Sequence, residues 1–470
     1  MIPVVTGSQA ARKIETSAKT WVNNATYLRK WIVLGAAIGL IAGLGAAVFY
    51  FALSEATRLL LVELGGYQPP TAAGDGGVAE SRGFERPWAI PLVVCLGGLV
   101  AGILVYKLAP EAEGHGTDAA IDAVHRDPRM IRVRVVLVKL VASAVTIGSG
   151  GSGGREGPTA QISAGFGSLL ARRLDLSPRD GRIAVAVGIG SGIGAIFGAP
   201  LGGAVLCCTI PFKEDFDFDI LIPAFVTSIV SYAVFGRLVG FGPLFGTAAE
   251  EYIFVAPLEL VWFALIGALG GLIGILYSGT FYTTVDLTRW LPGSRIFKPA
   301  VGGLLVGLLA LVLPEVLGSG YGWIQQSMSR IDLEAIPLWV VLVLPFAKIL
   351  ATSLSIGSGG SGGIFGPGLV IGAFTGAAVW RVLEPWAPGI PDSPAPFVIV
   401  GMMACFGSIA RAPLAVMLMV AEMTGSIGVL VPGMIAVGIA YLIVRRSGKT
   451  IYRSQVENRE EARRRQGGAG

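Results

Sequence analysis

Residues 148–158 read GSGGSGGREGP and residues 357–367 read GSGGSGGIFGP, nine of eleven positions identical at an offset of 209. Both copies lie in long apolar stretches, and in both a run almost without side chains leads into a Gly-Pro step and a helix-compatible segment. Backbone amides placed this way at membrane depth are free to hold something. A duplicated break of this kind points to a transporter or channel site built where two structural repeats meet.

Composition puts those amides in a bilayer. Hydrophobic residues make up 53% of the chain and charged ones only 14%, and 68 of its 470 residues are Gly, about twice the usual ~7%. Segments 31–53, 88–106, 183–212, 260–285, 349–380 and 423–444 carry no Asp, Glu, Lys or Arg. Several exceed the ~20 residues that a spanning helix needs. Shorter apolar segments lie at 135–147, with Lys139 inside, and at 220–236, 301–313, 336–347 and 398–410. The expectation is an all-α polytopic membrane protein whose helices are tilted, broken and unequal in length, so that counting hydropathy peaks fails.

The net charge of +5 comes from basic clusters at the two ends, Arg12, Lys13, Lys19, Arg29 and Lys30 in front and Arg445, Arg446, Lys449, Arg453, Arg459 and 463–465 behind. By the positive-inside rule both termini face the cytoplasm, as in an integral protein of the plasma (inner) membrane. The basic tail follows a spanning segment and belongs to no folded module, which argues against nucleic acid as a partner. Cys95, Cys207, Cys208 and Cys405 sit in apolar runs whose spacing fits neither a disulfide framework nor a zinc site. The first apolar run starts only at Trp31 and is long enough to stay in the membrane, so no cleavable signal is expected.

A second echo supports a true duplication: FGAPLGGAVL at 197–206 follows the first Gly-rich copy and ARAPLAVMLM at 410–419 follows the second. The expected organisation is a cytoplasmic segment 1–30, a first repeat 31–236, a joint 237–256, a second repeat 257–452 and a short frayed cytoplasmic tail 453–470. Segment 72–86, polar and Gly-rich, reads as an extramembrane loop.

A helix that begins inside a membrane leaves its first N–H groups unsatisfied, and its dipole places partial positive charge there, so an anion is the natural partner. The strips lack the Lys-Ser/Thr of a phosphate loop and no strand precedes them, which disfavours a nucleotide. Close helix packing explains glycine, but it leaves unexplained why the charged pair Arg155-Glu156 sits between two apolar runs. An ionisable residue in a bilayer is costly unless it is paired or faces water. Glu156 stands where the helix beginning near Pro158 presents its N–H groups. Its carboxylate can occupy an anion site, and protonation would remove it and open the path. The structural alternatives are a salt bridge to Arg155 or a simple helix cap.

GREGPTAQIS at 154–163, GIFGPGL at 363–369 and APL at 199–201 and 412–414 resemble the CLC chloride channels and chloride/proton exchangers, and the resemblance runs from Trp31 to Tyr452. It implies two inverted-topology repeats of tilted and broken helices, and a homodimer whose subunits each carry a pore. The resemblance makes Glu156 the external gating glutamate, with the amides of Arg155, Glu156 and Gly157 lining an outer anion site. Ile364 and Phe365 match the positions whose amides hold a central anion, although GIFGP differs from the family's GIFAP by one residue. Tyr452, in GKTIY, would close the central site from the cytoplasm, or else belong to an interfacial aromatic belt. Lys139 matches a family lysine that adds positive potential, with snorkelling to an interface as its alternative. No cofactor is implied beyond bound chloride ions.

Two departures stand out. GHGTD at 114–118 replaces the family's GSGIP, so His115 takes the place of an anion-coordinating serine, and its imidazole N–H offers a pH-sensitive donor. Asp118 would repel an anion if it faced the site, and is expected instead to cap the following helix; His125 reads as a helix-end residue. Secondly, the internal proton acceptor of family exchangers falls on Thr209 and Ile210, which carry no proton, with Glu214 and Asp215 as possible substitutes. The balance tips slightly toward a chloride/proton antiporter over a passive, voltage-gated type of chloride channel. Nitrate, bromide and fluoride stay open as cargo. Two other classes compete remotely: an intramembrane serine protease using Ser152 or Ser361 with a histidine, and a cation transporter, which would use carboxylates and helix C-terminal carbonyls.

Overall fold

The computed structural model describes residues 7–76, 81–246, 252–254 and 256–467. The remaining residues, which include parts of the expected N-terminal segment, outer loop, joint and tail, lie outside the described residues.

After α1 (Gly7–Asn24), the first half comprises α2 (Tyr27–Thr57), α3 (Ala89–Leu108), α4 (Thr117–His125), α5 (Val133–Gly148), α6 (Glu156–Arg173), α7 (Pro178–Phe197), α8 (Pro200–Thr209) and α9 (Phe218–Val239). The second comprises α10 (Glu259–Trp290), α11 (Lys298–Ala310), α12 (Tyr321–Ser327), α13 (Arg330–Ala335), α14 (Leu338–Ile356), α15 (Phe365–Leu383), α16 (Ala395–Ile409), α17 (Pro413–Thr424) and α18 (Leu430–Ser447), followed by α19 (Arg459–Gly467). Among the described residues eight helices are long and apolar enough to cross a membrane.

Two of the charge-free runs each form two helices. The run 183–212 breaks between α7 and α8 at Gly198, left-handed at φ 67°, and at Ala199, whose backbone the following Pro200 keeps out of the helical region. The run 349–380 breaks between α14 and α15 at its Gly-rich strip. Hydropathy sees one apolar stretch in each case, because it does not register backbone geometry.

The halves repeat one packing scheme. α2 lies on α9 as α10 lies on α18, and α6 lies on α7 as α15 lies on α16, while α3 meets α11 and α8 meets α17 across the halves. A glycine stripe allows the first of these: a Cβ at Gly39 or Gly43 would collide with the α9 backbone at Thr227 or Ser231. Small residues of this kind let helix backbones approach where lipid supplies no hydrophobic drive.

The relation between the halves is visible at their seam. Gly154 N donates to Gly363 O at 2.8 Å and Gly363 N to Gly154 O at 2.7 Å, an antiparallel bridge between equivalent positions of the two strips. Reciprocal bonds between equivalent residues are what a local two-fold axis generates, as the expected inverted-topology repeats require. The exchange continues outward. Gly114 N donates to Gly360 O at 2.9 Å, and its counterpart Gly318 N donates to Gly150 O at 3.1 Å.

The end of the chain departs from expectation. The tail is docked: α19 places Ala462 against Phe212 and Val456, and Arg459 Nε lies 3.1 Å from Asp215 Oδ2. This small apolar contact and ion pair hold a segment whose charge alone suggested fraying. α9 extends to Val239, through the start of the expected joint.

Candidate functional site

Because the two strips pair antiparallel, α6 and α15 both begin at the seam. Their free N–H groups therefore converge on one point at the centre of the protein. Glu156 is the first residue of α6 and is buried, and its carboxylate reaches across to the start of the opposite helix. Oε1 accepts from Gly366 N at 2.7 Å, at the start of α15, and Oε2 accepts from the Tyr321 hydroxyl at 3.1 Å. The carboxylate thus sits where the dipole and amides of the opposite helix favour negative charge. It also sits in a hollow made by missing side chains, since a Cβ on Gly154 or Gly363 would collide with it.

A salt bridge to Arg155 is not the explanation of Glu156. The Arg155 guanidinium turns away, donates to Asp75 Oδ1 at 2.7 Å and stacks between the rings of Tyr50 and Tyr321, 5.6 and 5.0 Å from their centroids. Asp75 comes from the loop expected to lie outside the membrane. Gly157 packs against the backbone of His115 and Gly363, which admits no side chain there. Ile364 is held through its carbonyl, which accepts from the Tyr277 hydroxyl at 2.8 Å. Phe365 stacks on Phe406 at 4.2 Å and on Phe197 at 5.3 Å.

On the opposite side Tyr452 is buried, with its ring 5.7 Å from that of His115 and 6.5 Å from that of Phe406. This interior position excludes an interfacial belt. The loop carrying it is pinned by Asp118, which corrects the expectation of a helix cap. Asp118 accepts from Ser454 N at 3.0 Å, Arg453 N at 3.3 Å and the Tyr282 hydroxyl at 3.1 Å. Its carboxylate faces two amides of the C-terminal loop rather than those of α4, whose N-cap Gly116 makes no side-chain bond. His115 Nε2 also contacts Asp118 Oδ2, at 3.2 Å, leaving its buried Nδ1 without a partner. His125 does end α4, and its Nε2 meets Pro211 O at 2.8 Å.

Lys139 does not snorkel. It is fully buried and Nζ donates to Ala112 O at 3.2 Å and Gly114 O at 2.6 Å, the loop that leads to His115. Lys348 does the same in the second half, donating to Val316 O and Gly318 O at 2.9 Å each. Sequence reasoning overlooked Lys348, although it lies 209 residues after Lys139, the offset of the strips. Tyr321 was overlooked as well. Its signal was the echo of PEAEGHGT at 110–117 in PEVLGSGY at 314–321.

Thr209 turns its hydroxyl to Val205 O at 3.1 Å, and Ile210 is buried. The equivalent of Thr209 in the second half is Glu422, which accepts from Leu201 N and Gly202 N at 3.0 and 2.7 Å and so caps α8. Glu214 is engaged by Arg445 at 2.7 Å and Asp215 by Arg459, yet both line a cavity of about 450 Å³ together with Thr209. The serines of the strips serve the seam: Ser152 Oγ pairs with Thr352 Oγ1 and Ser361 Oγ with Ser143 Oγ, each at 2.9 Å. Neither bonds a histidine, so the Ser–His pair that a protease needs is not assembled.

Comparison with known proteins supplies the family and the fold. The family model described as voltage gated chloride channel matches residues 97–445. A putative chloride channel protein ClcB-like of Ralstonia nicotianae is 32% identical over 91% of this chain and 98% of its own length. The H(+)/Cl(-) exchange transporter ClcA of Citrobacter koseri is 31% identical over 77% of each chain. Among solved structures, a slow cyanobacterial Cl-/H+ antiporter matches with TM-score 0.76 and 23% identity over 90% of this chain and 96% of its own. A CLC-type fluoride/proton antiporter matches with TM-score 0.77 and 20% identity over 93% and 100%. The chain shares the fold of these transporters and belongs to the voltage-gated chloride channel (CLC) family.

Proposed function

We propose that this protein moves chloride, or a small anion like it, across the inner membrane in exchange for protons, with Glu156 serving both ions. The observation that carries the reading is the Glu156 carboxylate resting on the Gly366 amide at the start of α15. A carboxylate in an anion's place must leave for the anion to pass, and taking up a proton removes the charge that keeps it there. One side chain thereby couples the two flows. The amides of Arg155, Glu156 and Gly157 form the outer anion site and those of Ile364 and Phe365 the central one, with Tyr452 as its inner wall. His115 lies beside that wall as a further donor. The cavity beside Thr209, lined by Glu214 and Asp215, offers protons a wet route from the cytoplasm in place of an acid at Thr209 or Ile210.

A passive chloride channel is the second reading, favoured by those same two residues. In either case the cargo anion is the only small molecule the site calls for. The reading includes a homodimer with a pore in each subunit and both termini in the cytoplasm, supported by the basic clusters at the chain ends.

Chloride efflux from proteoliposomes, with external pH recorded simultaneously, tests this. Chloride efflux with uphill proton uptake, the uptake abolished by Glu156→Gln while chloride flux persists, is the expected outcome. Chloride efflux without proton movement selects the channel, and absence of chloride, bromide, nitrate and fluoride flux from well-folded protein rejects both.

A further inference from the structure

Tyr321 is the one side-chain donor to the Glu156 carboxylate among the described residues. It opens α12, immediately after the left-handed Gly320, and is buried. Three contacts leave its ring little freedom: the Arg155 guanidinium on one face and the edge contacts of Phe197 and Phe245 at 6.1 and 6.2 Å. Arg155 is itself held by Asp75. An ordered series therefore runs from the outer loop through Arg155 and Tyr321 to the carboxylate. The hydroxyl also needs room on its far side. A Cβ at Gly366 would overlap the Tyr321 hydroxyl and press on Glu156 Oε2. Gly366 thus has two tasks: its amide binds one carboxylate oxygen, and its missing side chain admits the donor for the other.

We propose that Tyr321 and Gly366 form a latch that holds Glu156 in the anion's place, so that the strength of this hydrogen bond sets how readily the gate opens. The inference rests on Glu156 acting as the gate and adds a residue that controls its closed position. A hydrogen bond to a charged group is stronger than a neutral one, and losing it shifts the closed-to-open population by about tenfold or more. The ring's other contacts involve only its faces and edges, so Tyr321→Phe removes the latch and leaves the packing.

The test is chloride efflux from proteoliposomes for wild type, Tyr321→Phe, Gly366→Ala and the double variant, with Tyr321→Phe also placed in a Glu156→Ala background. The expected result is efflux about tenfold faster in Tyr321→Phe, with no acceleration in the Glu156→Ala background, where nothing remains to be latched. Gly366→Ala should displace the hydroxyl and also speed efflux, and should add less to Tyr321→Phe than to wild type, since the closest contact of the new Cβ is with the hydroxyl. If Gly366→Ala alone does not survive purification, its recovery by Tyr321→Phe reads the same contact, and no recovery overturns it. Efflux from Tyr321→Phe within twofold of wild type, or equal acceleration with and without Glu156, overturns the latch while leaving anion transport standing. No chloride efflux from wild type overturns both.

Discussion

The start of α6 and the start of α15 share a strip, a backbone and a partner, yet one contributes a charge and the other only amides. Gly154 and Gly363 exchange bonds as equals, whereas the next two positions are Arg155-Glu156 in one half and Ile364-Phe365 in the other. The duplicated backbone makes two converging helix starts. Breaking the symmetry at one residue lets one half occupy the site that the other half creates. The same contrast recurs around the seam, with Thr117 opposite Tyr321, His115 opposite Ser319 and Thr209 opposite Glu422. The parts that stay equal hold the fold, and those that differ include Glu156 and its donor Tyr321.

The two buried lysines give the sharpest way to break this comparison. Each donates to two carbonyls of its own loop, so Lys139→Met and Lys348→Met should destabilise the protein equally, by on the order of 3 kcal/mol from orphaned carbonyls. Thermal unfolding in detergent measures this. A much larger loss in one half would show that the lysines are not structural equals. Next in size are Gly150→Ala and Gly359→Ala. Both residues have φ 105°, a conformation that an L side chain strains by about 1–3 kcal/mol. Matched drops in melting temperature are expected, and an unaffected variant would mean that one strip can relax. Smallest is Asp118→Asn, which keeps the shape but weakens the bonds from Ser454 N and Arg453 N that hold the Tyr452 loop. Chloride affinity by calorimetry should fall a few-fold with melting little changed, and unaltered affinity would detach that loop from the anion site.

Legibility in the sequence follows the reach of each signal. The broken helices were readable because Gly-rich strips and Gly-Pro steps are local. Glu156 was readable because a charge in an apolar run is locally anomalous. The partners of Asp118 were not, since Ser454 and Arg453 lie more than 300 residues away and a single carboxylate near a helix start has caps as its nearest local explanation. The tail looked frayed because its composition is polar, whereas its fixed position depends on Phe212 and Asp215 in the segment between α8 and α9. Tyr321 and Lys348 lay between these cases. The repeat offset marked them, but an aromatic and a lysine near apolar segments are unremarkable until their neighbours are known.

By itself the sequence determined that this chain lives in a membrane, that it is built twice, and that helices follow two glycine strips inside apolar stretches, with one carboxylate at the end of the first strip. Those properties follow from composition and spacing, which act along the chain. Only the tertiary structure decided that the carboxylate of α6 rests on the amides of α15, that a tyrosine from α12 completes its hydrogen bonds, and that Asp118 holds the loop of Tyr452. These contacts join residues 165 to 336 positions apart. They exist because the second half is inverted on the first, and neither periodicity nor composition encodes which distant residues an inversion brings together.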